Sequence, residues 1–172
     1  MNCWQVCRQI QYLLREQTWT GSATKVFHTK SILITAAPRE SAVEQLIMPA
    51  VLIRPLGATS DDEEPDFVSQ ELALTLATAH AGDSYGEYPL VGGQRTGQTD
   101  STGRGLLEIE EEVFNAIEFL NTDSGVLIQH RMSSAAEPKL VGNQYLLLRD
   151  YMFRAELTAD RFYHPVENLQ SA

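Results

Sequence analysis

Hydrophobic positions recur at helical spacing at the start of the chain. Cys3, Cys7, Ile10 and Leu14 share one stripe, with Val6 and Leu13 beside it and Arg8, Gln9, Gln11, Arg15 and Glu16 elsewhere. This spacing predicts an amphipathic helix over residues 2–18, ended by the breaker Thr20-Gly21-Ser22-Ala23. Residues 26–35 carry a continuous apolar centre, Ile32 to Ile34, and read as a strand. Pro38 suits the first turn of a short helix that runs to Met48 and is closed by Pro49. Residues 50–54 read as a second short strand, ended by Pro55 and Gly57.

Strict alternation follows over residues 67–80. Leu72, Leu74 and Leu76 point one way and Ala73, Thr75 and Ala77 the other, which predicts a strand half-covered by core. Residues 106–120 return to helical spacing, with a stop at residues 121–125 where Gly125 suits a left-handed terminator. Residues 126–133 and 145–158 read as strands able to pair as a hairpin through Glu-Pro-Lys-Leu-Val-Gly-Asn. The order α-β-α-β-β-α-β-β predicts an α+β fold. Its sheet is expected to be mostly antiparallel, with four to five strands, and the N-terminal helix and the long acidic helix pack on it. At 172 residues the chain is expected to form one domain, residues 1–172.

Two segments lack periodicity. Residues 57–66 hold Asp61, Asp62, Glu63, Glu64 and Asp66 with no cation, as a solvated charge run does. Residues 82–105 hold seven of the eleven glycines. A segment this long without periodicity inside a domain is either functional or ordered by a partner. From residue 160 the chain reads as a loose tail.

On the helix at 106–120, Leu106, Ile109, Val113, Ile117 and Leu120 form the stripe expected to cover the sheet. Leu107 and Phe114 form a second, smaller lane, with Glu110 between the two. Glu108, Glu111, Glu112 and Glu118 take the remaining faces, the early ones favoured by the helix dipole. Two readings of the second lane stay open. It is a wide apolar face on a solvated helix, or Leu107, Glu110 and Phe114 face a neighbouring subunit whose cation pairs with Glu110, with Arg149 or Arg154 as candidates.

The net charge of −10 argues against nucleic-acid binding through a broad basic surface, and leaves open a negatively lined passage through which DNA slides. Cys3 and Cys7 read as small apolar core residues, compatible with a reducing compartment. Neither a secretory leader nor a membrane span is expected from the apolar runs. His28, His80, His130 and His164 are scattered, so no metal site is expected. No catalytic set and no cofactor are expected either. Gly92, Gly97, Gln98 and Thr99 trace a phosphate-loop spacing, but Gln98 stands where that loop needs lysine and no helix follows at once.

Residues 100–117, Asp-Ser-Thr-Gly-Arg-Gly-Leu-Leu-Glu-Ile-Glu-Glu-Glu-Val-Phe-Asn-Ala-Ile, resemble the signature of the tail terminator (tail completion, or head–tail joining) proteins of long-tailed bacteriophages. The likeness lies in Gly103-Arg104-Gly105, then apolar residues, then Glu108 and Glu110 opening an amphipathic helix. The order of elements around it is also similar, ending in a hairpin whose last strand bears Arg149 and Arg154. The glycine-rich insert and the tail after residue 160 depart from the family pattern. The resemblance implies a structural virion protein of the tail and neck, assembled in the host cytoplasm. Such proteins close into a hexameric ring on the tail tube, end its growth and meet the head connector, and DNA passes through the lumen. The expected partners are further copies of the chain, the tail tube protein and connector or stopper proteins, with no membrane. Asp61, Asp62, Glu63, Glu64, Asp66, Tyr85, Tyr88, Arg95 and Arg104 are the expected contacts to tube or connector. The alternatives are a connector-side stopper, a tail tube protein, and an enzyme that binds nucleotide through the glycine-rich loop.

Overall fold

The computed structural model describes residues 3–60, 67–79, 105–124, 126–142 and 144–158. The acidic run Asp61, Asp62, Glu63, Glu64 and Asp66, the segment 82–104 with Tyr85, Tyr88, Arg95 and Arg104, the Gly125 terminator and the tail from 160 lie outside the described residues.

The fold is α+β. A mixed six-stranded sheet carries three α-helices among the described residues: α1 (Cys3–Glu16), α2 (Arg39–Val43) and α3 (Leu106–Ser124). The strands are β1 (Ile32–Ile34), β2 (Ala50–Ser60), β3 (Phe67–Ala79), β4 (Leu127–Ser133), β5 (Glu137–Val141) and β6 (Gln144–Thr158). The order across the sheet is β1-β2-β3-β6-β4, and β5 also pairs with β6. The expectation of a mostly antiparallel sheet of four to five strands is corrected here. β1 runs parallel to β2, because the segment that holds α2 carries the chain back to the starting end of the sheet.

Several element boundaries also differ from expectation. The strand expected at 26–35 shrinks to Ile32–Ile34. His28 caps a 3₁₀ turn at Thr29–Ser31 by accepting from the Lys30 N–H at 3.2 Å, and this local bond displaces ladder pairing. α2 stops at Val43 rather than Met48, since Leu46 and Met48 turn back to pack on the sheet. β2 does not end at Pro55. Beyond Ile53 it has no β1 neighbour and becomes an edge, where proline and a bulge are tolerated. The Gln70 amide donates to the Leu56 and Gly57 carbonyls at 2.7 and 3.3 Å and satisfies that bulge. α3 runs four residues past Leu120. Asn121 lies within it, and its amide makes a two-way pairing with the Ile128 backbone at 2.7 and 2.9 Å that fixes the start of β4.

β3 is covered on both faces from Leu72 to Thr78, rather than on one. On one face Leu72, Leu74 and Leu76 join Val51, Ile53, Tyr151, Phe153 and Ala155 beneath α1 and α3, the main core. On the other, Ala77 joins Ala50, Leu52, Leu146 and Leu148 beneath Ala42 and Val43 of α2. The expected hairpin connection is itself a strand. β4 and β5 lie end to end along one edge of β6, broken at Ser134, which exchanges bonds with the Asp150 backbone. The chain reverses between Val141 and Gln144, which pair with each other, and Gly142 takes φ 59° there.

Candidate functional site

Buried Gly105 precedes α3, and its carbonyl accepts from the Ile109 N–H at 3.2 Å. Leu106, Ile109, Val113, Ile117 and Leu120 are all buried on the sheet, the stripe expected from their spacing. The second lane divides. Leu107 is 42% exposed, whereas Phe114 is half-buried against the core. Its ring packs edge-on to His130 and Tyr151, at 5.1 and 5.9 Å between centroids, and is tilted over Phe153.

Glu110 has its cation within the chain. Its carboxylate accepts from Arg149 at 3.0 Å and from the Tyr151 hydroxyl at 2.9 Å. The pairing of Glu110 with Arg149, expected across a subunit contact, is made here within one chain. Arg149 also donates to the Ser134 carbonyl at 3.0 Å and stacks over the Tyr151 ring at 5.3 Å. Burial, then the bond to Glu110 and its charge, raise the Tyr151 pKa. Arg154 cannot share this role. It lies five residues along β6, so strand alternation places it on the opposite face, where it donates to the Ser69 hydroxyl at 2.6 Å.

Glu112 was expected on a free helix face and is instead buried. It accepts from the Thr20 N–H and hydroxyl at 2.7 and 2.8 Å and from the Gln17 amide at 2.7 Å. Burial opposes its ionisation, but the bonds from Thr20, Gln17 and Asn115 outweigh burial and lower its pKa. Glu112 therefore ties the turn after α1 to α3.

A second charged network, on the face opposite α3, has no counterpart among the residues singled out from sequence. Asp150 accepts from Arg39 at 2.6 Å, from Arg54 at 3.4 Å and from the Thr75 hydroxyl. Arg39 also bonds Glu137 at 2.6 Å and Glu40 at 3.0 Å, and Glu40 pairs with Lys139 at 2.5 Å. Burial works against the Arg39 charge, but its bonds to Glu40 and Glu137 and the charge of Asp150 raise its pKa. Hydrogen bonds from Lys139, its own backbone and Arg39 hold Glu40 down to about 2. The network clamps α2 onto β2, β5 and β6. A lone Asp inside the apolar run Leu146 to Phe153 was the available signal.

Cys7 is buried in the core, Cys3 packs at its edge, and both thiols are free. The hydrogen bond with Cys3, and burial, push the Cys7 thiol up. Among the described residues no group of three His, Cys, Asp or Glu side chains could hold a metal ion. No helix among them is long and apolar enough to cross a membrane.

The carboxylates of these networks are engaged by cations or N–H and O–H donors, so their chemistry is to join elements. Comparison of the chain with protein-family models gave no match, and comparison with curated proteins gave none either.

Proposed function

We propose that the chain is a structural virion protein of a long-tailed phage. It forms a hexameric ring that caps the tail tube, stops tube polymerisation and joins the tail to the head connector. The observation that carries this proposal is the setting of the signature helix. Its Glu110 is bound by Arg149 and Tyr151 of the last strand, so the two stretches that carry the resemblance form one unit. The flanks of that unit are open. Among the described residues the sheet ends in β1, paired on its inner side with β2, and at the other side in β4 and β5, two edges a subunit could offer to neighbours.

In this proposal the acidic residues Asp61, Asp62, Glu63, Glu64 and Asp66, which follow β2 in the sequence, and Tyr85, Tyr88, Arg95 and Arg104 contact tube or connector proteins. The net negative charge keeps DNA from adhering to the lumen during passage. The test is electron microscopy of the purified chain, alone and mixed with the phage's tail tubes. Discrete rings, free or as caps on tube ends, are expected. Long cylinders formed by the chain alone would reassign it as a tube protein. A chain that stays monomeric and leaves tube ends bare would refute the proposal.

A further inference from the structure

We propose that the ring contact is heterologous: the α1–β1 flank of one copy seats on the β4–β5–α3 flank of the next. This rests on the ring reading and adds the two surfaces that meet. Eleven large hydrophobic side chains are exposed among the described residues, and seven of them lie on these two flanks. Trp4, Leu33 and Ile47 lie on the first. Trp4 is 57% exposed, and Ile47 sits beside β1 because its carbonyl accepts from the Ser31 hydroxyl. Leu107, Leu127, Met132 and Leu140 lie on the second, where Met132 and Leu140 are each 61% exposed. Apolar side chains gathered along open sheet edges need a cover.

Helix geometry decides which way the outer residues of α1 and α3 point. The Gln11 amide donates to the Ile32 carbonyl at 3.0 Å, so that side of α1 faces β1. At about 100° per residue, Trp4, Arg8 and Arg15 all fall within roughly 60° of Gln11. Glu112, bonded to Gln17 and Thr20, marks the side of α3 that faces α1. Leu107 lies roughly 140° from it and Glu111 roughly 100°, both turned away from α1.

The two flanks also differ in charge. The first bears Arg8, whose guanidinium lies over the Trp4 ring at 5.3 Å, and Arg15, whose buried Nε has no partner among the described residues. The second bears the exposed carboxylates of Glu111 and Glu118, although exposed Arg131 at the β4 bulge has the opposite sign. Tryptophan, arginine and methionine are the residues that dominate interface cores and hot spots. Two unlike patches on opposite sides of a subunit make a head-to-tail contact, the kind that gives a ring when the rotation between subunits closes. A twofold dimer would need one self-complementary patch instead.

Mixing two variants tests this contact. Trp4→Asp spoils the first flank and Met132→Asp the second. Both side chains are exposed, and far-UV circular dichroism with thermal melting checks that each variant folds. Each alone is expected to need about tenfold or more protein to form rings than the wild type. Mixed in equal amounts, they still share one intact pair of flanks and yield one-to-one dimers by sedimentation velocity. If wild type forms rings while either variant assembles equally well, or the mixture holds only monomers, this contact is wrong and the ring reading stands. A wild type that stays monomeric with and without tail tubes overturns the ring reading, and this contact with it.

Discussion

Replacing Glu112 by glutamine removes one charge and changes almost no volume. The carboxylate is 4% exposed and receives three bonds from the turn after α1, at 2.7, 2.8 and 2.7 Å. A hydrogen bond to a charged group contributes about 1.5–3 kcal/mol. The amide oxygen of the variant keeps neutral versions of the two Thr20 bonds. Its NH₂ group then faces the Gln17 amide, donor against donor, so that bond is lost. Water reaches exposed Thr20 and offsets part of the loss. The expected cost is about 1.5–3 kcal/mol at pH 7, or about 3–12 °C in Tm for a chain of this size.

The pH dependence of that gap is a second readout. Glu112 has a folded pKa below its unfolded value, so its contribution is present above the unfolded value, 4.5, and is lost as pH falls through the folded one. The other carboxylates are common to both proteins and cancel in the difference. Urea titrations of wild type and Glu112→Gln at pH 7 and pH 3 would therefore show a gap that narrows on acidification. A gap under about 0.5 kcal/mol at pH 7, or one that acid leaves unchanged, would refute this role.

Three further outcomes follow from the same geometry. Arg149→Met is expected to cost about 2–3 kcal/mol because it strands the Glu110 charge, and adding Glu110→Gln should restore part of it; additive costs in a double-mutant cycle would deny the pair. Phe114→Ala should cost about 2–4 kcal/mol in urea unfolding, while Leu107→Ala on the exposed side should stay within about 1 kcal/mol. Gly142→Ala should cost about 1–2 kcal/mol through its φ of 59°, and Gly142→Asn less, as thermal melting would show. The added Cβ of alanine also meets Glu44 Oε1 at 2.8 Å, but that side-chain tip can move aside.

The buried stripes of α1 and α3 were legible because 3.6-residue spacing fixes one face whatever lies beneath it. Leu106 through Leu120 and Cys7, Ile10 and Leu14 all went where spacing put them. The alternation of β3 was also legible, but not the cover on its second face. Ala73, Thr75 and Ala77 are small or polar and do not announce that α2 and a charged network lie over them. Pro55 and Gly57 were legible as breakers only for a central strand, and β2 is an edge at that point. The chain that supplies the partner of Glu110 was not legible for a different reason. Arg149 was among its named candidates, yet only the register of β6 beneath α3 shows that it reaches Glu110 in the same chain. Glu112 and Glu111 are neighbours of identical type, and a turn ninety-two residues away decides which is buried.

The central claim is that copies of this chain close into a ring at the end of a tail tube. The most direct measurement is electron microscopy of the full chain mixed with the phage's tail tubes, counting copies at each tube end. One closed hexameric ring per capped end, and no further tube growth after capping, is the expected result. Tube ends that remain bare and keep extending in the presence of the chain would contradict it.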